Sequence, residues 1–350
     1  MLSFFNRLSW LCTAPAALSF AALLSLGWHT HSYAQGRDAH ASVTPRARIV
    51  LRQNLHEATS GKADSKHQIR VALRDGTNLS SDVVIKRKSS PETEIQPPGR
   101  SDTLVSEAVY VQDLDSSTVL YDKSSTDIRP IASISKLMMA LVVIESGLSM
   151  DTKLKITDAD VDRMRYSRSR LSVGSELSRA DMLHLALMSS ENRASHALGR
   201  YHPGGMPAFV RAMNDKARAL GMRHTHFVEP TGLSADNVSS ARDLVKLAQA
   251  AAREPLIRRY STSEKYDVTP AQGRQLAFRN SNRLVRNDKW DIQLSKTGFI
   301  NEAGECLVML TRIDNRDVAI VLLNASPRSR IADAIRIRSL VLKNADLAML

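Results

Sequence analysis

Ser133 and Lys136 stand three residues apart at the head of an apolar run, residues 130–144. On a helix that spacing puts both side chains on one face. The run is apolar almost all round, so the helix it predicts, 133–145, belongs in the core, with Gly147 placed to end it. A lysine in such surroundings loses hydration, which favours its neutral amine. A neutral amine one turn from a hydroxyl takes its proton and leaves a nucleophilic oxygen. The helix start adds free N–H groups and a positive dipole end for a developing anion. The same two residues also read as a serine cap with a lysine reaching back to solvent. Serine and lysine at this spacing are common, so the pair alone does not decide between the readings.

Two further tripeptides bear on that choice. Ser190-Glu191-Asn192 follows a stretch, 182–188, that predicts an amphipathic helix; by itself it also suits a helix-ending turn. Lys296-Thr297-Gly298 falls in a predicted strand, where the lysine and the glycine both interrupt the pattern. Glycine lets a ligand or another backbone come close, and Lys296 with Thr297 offers a cation and a hydroxyl to a carboxylate. The plainer reading of Lys296 is a charge guarding a sheet edge.

These groups need a scaffold that brings residues 133, 190 and 296 together. Segments 109–111 and 118–121 flank a turn and predict a hairpin. Helical patterns follow at 178–189, 195–200, 206–220 and 241–252, and strand patterns at 292–299, 305–311 and 318–324. The connections at 301–304 and 314–317 are short enough to force antiparallel neighbours. A helix over 326–342 closes the pattern. Strands at both ends with helices between them imply one sheet completed by distant segments, carrying a helical insert.

Serine-x-x-lysine, serine-x-asparagine and lysine-threonine-glycine in this order form the motif set of penicillin-interacting serine enzymes. From about Ser106 to Leu342 the chain resembles the serine D-alanyl-D-alanine peptidases, the low-molecular-mass penicillin-binding proteins. Residues 131–138, 187–193, 229–233 and 295–298 all look like that family's segments, and the Ser-Glu-Asn form followed by Arg193 resembles its endopeptidase branch. The resemblance implies an α+β fold of the β-lactamase and DD-peptidase type. Helices would cover both faces of an antiparallel five-stranded sheet, and a helical subdomain would carry the Ser190 motif. It implies Ser133 as the acylated nucleophile and Lys136 as its base, with Ser190 and Asn192 on the opposite wall and Ser190 passing a proton to the leaving amine. Lys296, Thr297 and Gly298 would bind the substrate carboxylate, and the N–H groups of Ser133 and Phe299 would form the oxyanion hole. No cofactor or metal is called for. The stretch after Gly298 suffices for two strands and a helix but not for a further β-rich domain or an anchor helix, which favours the periplasmic endopeptidase type. Carboxypeptidase action on pentapeptide stems is the alternative. A class A-type β-lactamase comes next, with Glu229 as the tempting carboxylate, although Glu229-Pro230-Thr231-Gly232 reads as a tight turn.

The remaining residues set the compartment. Arg7, an uncharged stretch over 8–28 and the ending Ser32-Tyr33-Ala34 describe a secretory signal, 1–34, cleaved after Ala34. This predicts a periplasmic protein with no stable membrane anchor after cleavage. The alternative is an uncleaved anchor, since the 8–28 stretch is long enough to span a bilayer. Residues 35–100 are polar and basic, without sustained period, and read as a flexible linker with a transient strand at 82–85; 101–350 reads as the catalytic domain. The two cysteines, Cys12 and Cys306, exclude a disulfide scaffold, and Cys306 reads as a core residue. A formal net charge of +12 fits acidic peptidoglycan stem peptides as partners, and β-lactams as covalent inhibitors follow from the resemblance. A basic polymer binder with a dead site is the rival from another class. Nucleic acid is not expected, since aromatics are few and no basic-aromatic module occurs.

Overall fold

The computed structural model describes residues 104–348 except Gln272, together with short strands at Ile69–Val71, Arg74–Asp75, Asn78–Leu79 and Val83–Ile85. The expected signal segment and most of the expected linker lie outside the described residues. The first and last of those short strands pair with each other, as do the middle two. The compact unit that carries the motifs spans Thr93–Leu350.

Its sheet has five antiparallel strands: β1 (Ala108–Asp113), β2 (Val119–Lys123), β3 (Asp291–Ile300), β4 (Gly304–Ile313) and β5 (Arg316–Ala325), in the order β3-β4-β5-β1-β2. The β4–β5 turn is two residues long, and Asp314 and Asn315 both take positive φ (51° and 57°). That conformation matches the twist of the strands it joins. Alternation along β5 builds two cores. Val318, Ile320 and Leu322 pack with Ile331, Ala334 and Ile337 of the C-terminal helix α7 (Arg330–Ala348). Ala319, Val321 and Leu323 face the larger helical layer. Both faces are therefore covered and the α+β expectation holds.

The larger layer is built around α1 (Ser135–Glu145), buried from Ser135 to Val143 as its all-round apolarity requires. Around it stand α2 (Arg179–Met188), α3 (Asn192–Arg200), α4 (Gly205–Ala219), α5 (Ala241–Ala252) and α6 (Pro255–Thr262). Ser178 caps α2: its Oγ accepts from Asp181 N, and the Asp181 carboxylate accepts from Ser178 N in return.

Three expectations are corrected. The stretch 182–188 is buried at every position, so α2 is a core helix rather than an amphipathic one. α3 starts at Asn192, three residues before the expected 195, because Glu191 caps it by accepting from Arg193 N. α6 and the hairpin Lys265–Val268 with Leu276–Arg279 were not expected at all. The two strands are only four residues long, and Leu276–Arg279 does not alternate at all, so no period stands out.

Candidate active site

Ser133 sits in a 3-10 turn, Ala132–Ile134, that leads into α1. No side-chain bond caps α1, so Ser133 is not spent as a helix cap. Lys136 is 0% exposed and does not reach solvent. Its Nζ lies 2.9 Å from Ser133 Oγ and 2.8 Å from Asn192 Oδ1, and it also meets the backbone oxygen of Thr231. Burial is the main cause that lowers the Lys136 amine to about 8, against the opposing pull of the Glu229 and Glu191 carboxylates. A neutral amine has two N–H donors and one lone pair. Asn192 Oδ1 and the Thr231 carbonyl can only accept, so they take the two donors. The lone pair is left for the Ser133 hydroxyl, the arrangement a general base needs.

The second lysine faces the other way across the cleft. Lys296 is on β3, which is an edge strand, yet its side chain is 1% exposed and so does not guard the edge. Its Nζ donates to Ser190 Oγ at 3.0 Å and to the Thr297 carbonyl at 2.8 Å. Burial first, then the charges of Lys136 and Arg330, hold this amine well below its usual range. A carboxylate entering beside it would supply the missing counter-charge. Thr297 Oγ1 donates to Ser281 Oγ at 2.7 Å. Gly298 closes the ring: a Cβ there would stand 2.9 Å from Ile131 O and 3.0 Å from Ser133 N. Only glycine lets β3 approach the serine's backbone this closely. Phe299, next along, is 56% exposed.

The three motifs thus form one closed circuit, 133–136 to 192, 190 to 296, and 298 back to 133. Ser190 takes a left-handed backbone (φ 63°), as does Ala132 (φ 48°). Such conformations are costly for residues other than glycine and persist where the surroundings enforce them.

A fourth wall escaped the motif reading as a source of site contacts. Glu229 is the turn glutamate expected: its carboxylate accepts from the N–H groups of Thr231 (2.6 Å) and Gly232 (2.7 Å) and from Asn237 Nδ2 (3.0 Å). This clamp holds the Thr231 carbonyl against Lys136 and Ser133, whose Oγ lies 3.3 Å from it. Gly232 (φ 79°) presses on the same turn, with Ala132 O only 2.0 Å from where a Cβ would be. Asn192 Nδ2 donates to Ser167 Oγ at 3.0 Å, fixing which way the amide faces. A backbone carbonyl and a serine in a loop carry no type-and-spacing signal, which is why neither could be found beforehand.

A family model described as D-alanyl-D-alanine carboxypeptidase, the S11 peptidases, matches residues 92–327. The chain belongs to this peptidase family. It is 49% identical over 238 residues to the D-alanyl-D-alanine endopeptidase of Escherichia coli, covering 67% of this chain and 77% of that one. Among solved structures it is similar to the Streptomyces K15 DD-transpeptidase, with a TM-score of 0.64 and 27% identity over 68% of this chain and 97% of that one. It is also similar to the penicillin-binding protein D2 of Listeria monocytogenes in a cefotaxime-bound form, with a TM-score of 0.60 and 28% identity over 68% and 97% of the two chains. The S11 chain is accordingly an enzyme, a serine-type D-alanyl-D-alanine peptidase, and its fold is the one those structures share.

Proposed function

We propose that this enzyme hydrolyses the D-alanyl cross-link between two peptidoglycan stem peptides through an acyl-enzyme on Ser133. The observation that carries the reading is the buried Lys136 amine 2.9 Å from Ser133 Oγ, with acceptors on its other two sides. Lys136 takes the hydroxyl proton as Oγ bonds to the D-alanyl carbonyl carbon. The N–H groups of Ser133 and Phe299 receive the oxyanion, charge that exists only in the tetrahedral state. Ser190 delivers a proton to the leaving amine as the C–N bond breaks and takes in its place the proton Lys136 gained, and Asn192 keeps Lys136 aimed. Lys296 and Thr297, beside Gly298, hold the carboxylate next to the scissile bond. Water then attacks the ester, giving its proton to Lys136, which returns it to Ser133 Oγ as the C–O bond breaks and the stem leaves with a free carboxyl.

Cleavage between stems is favoured over trimming by the Ser190-Glu191-Asn192-Arg193 form and by the name of the 49% identical relative. Removal of a terminal D-alanine is the second reading, favoured by the family description, since the acyl half of both substrates is the same. β-Lactams acylate the same hydroxyl, a reading the cefotaxime-bound neighbour supports. The chain acts in the periplasm after loss of residues 1–34, with 35–100 as linker and 101–350 as catalytic domain.

Digestion of purified cross-linked muropeptides, with products identified by mass, tests this. Monomeric stems that keep their terminal alanines are expected. Loss of one alanine without separation of the stems would transfer the assignment to a carboxypeptidase. Wild-type protein that takes no fluorescent penicillin, together with uncut substrate, would remove the enzyme reading altogether.

A further inference from the structure

Beside the wall carrying Ser190 lies a cleft of about 1010 Å³ whose charge the catalytic circuit does not use. Its floor includes Ser189 and Glu191, the residues on either side of Ser190. Its sides are the loop over residues 168–170 and the hairpin strand Leu276–Arg279 with the turn before it. Four arginines line it: Arg168, Arg170, Arg274 and Arg279. Arg170 is engaged, donating to the Ala277 carbonyl and lying over the Phe278 ring. The other three are exposed, and among the described residues none of their side chains has an ion pair or hydrogen bond. The one carboxylate in the lining, Glu191, is buried and turned to Ser169 Oγ and Arg193 N, so it does not neutralise them. Lys265 pairs with Arg279 across the hairpin, adding like charge, and Asp267 faces Gln275.

Unpaired guanidiniums gathered around one concavity repel one another and are stabilised by an anion; their planar fork matches carboxylates in particular. We propose that this cleft is the subsite for the departing stem peptide, binding its outlying carboxylates. The placement follows from the proposed function, on which it rests. Ser190 hands its proton to the leaving amine, so the chain attached to that amine must run past Ser190, onto Ser189, Glu191 and the arginines beyond. A lone departing D-alanine is too short to reach them, and its carboxylate is already met by Lys296 and Thr297. The cleft therefore recognises the cross-linked substrate and not the trimmed one.

The test compares wild type with Arg274→Glu/Arg279→Glu, two exposed positions away from the catalytic circuit. Three readouts are taken: acylation by fluorescent penicillin, kcat/KM on a purified cross-linked muropeptide dimer, and kcat/KM on the same dimer with only its outlying leaving-stem carboxylates amidated, the one beside the scissile bond left free. The double variant should cut the free-acid dimer at least about tenfold less efficiently, with penicillin acylation within about twofold of wild type. On the amidated dimer the two proteins should be equal. Wild-type efficiency of the variant on the free-acid dimer would overturn the subsite, as would an equal loss on the amidated dimer or on penicillin. Those results leave the endopeptidase reading intact. Wild-type protein that labels with penicillin but leaves the dimer uncut would sink that reading, and the subsite with it. The charge-removing Arg274→Gln/Arg279→Gln variant should show a smaller loss of the same selectivity.

Discussion

At the scale of single residues, the proposed role of Ser133 as nucleophile requires one amine, that of Lys136, to be uncharged. Lys136→Ala should slow penicillin acylation by about 10²–10⁴-fold. Lys136→Arg should be nearly as slow, because a guanidinium keeps its proton; normal acylation by the arginine variant would refute the base role. The amine is lowered to about 8 by burial, and its competent form is the deprotonated one. Acylation should therefore fall roughly tenfold per pH unit below about 8 and level off above it, as stopped-flow labelling across that range would report. For Lys296→Ala, affinity for a free-acid substrate analogue should drop while affinity for its ester is unchanged. Serine, lysine and asparagine announced themselves through type and spacing. The Thr231 carbonyl that completes the lysine's shell did not, since every residue has one and only the fold decides where it faces.

At the scale of elements, the loop at 229–233 is as much a part of the site as α1 is. Its glutamate gathers N–H donors with a charged acceptor, and such bonds contribute about 1.5–3 kcal/mol each at most. In Glu229→Gln an amide nitrogen must face some of those donors, so the Thr231 carbonyl should loosen. A drop in acylation of about tenfold is expected, with a modest fall in Tm on a thermal scan. Gly232→Ala is harsher: the new methyl meets Ala132 O, and a positive φ is retained. Overpacking of this kind costs about 1–3 kcal/mol, and here it acts on the turn bearing Ser133, so labelling should fall further than in Glu229→Gln. The long elements of the sheet and α1 were legible because burial writes a clear period into them. The short hairpin at 265–279 was not, although it forms one side of the arginine-lined cleft; four-residue strands held by tertiary contacts leave little local trace.

At the scale of the whole molecule, the sheet joins β1 and β2 to strands that follow nearly two hundred residues later, and α7 ties the arrangement shut. Asp333 on α7 is 0% exposed and accepts from Ser106 N (2.7 Å) and Ser106 Oγ (2.6 Å), groups just before β1. Removing one partner of such a buried bond leaves the others unmatched. Asp333→Ala should cost about 3–5 kcal/mol in chemical denaturation, while the folded fraction acylates at the wild-type rate. A change in that intrinsic rate would mean that α7 shapes the site directly. The sandwich of helices around one sheet was foreseeable from strands at both ends of the domain. The closure through Asp333 was not, since a lone aspartate in a helix looks like any solvated one. The closed circuit through positions 133, 192, 190, 296 and 298 has one more outcome. Its members come from the early, middle and late thirds of the catalytic unit, and no partial assembly holds them all. A covalent mark on the serine thus counts only completed molecules, so the same label that measures chemistry also doubles as a census of how many chains have finished folding.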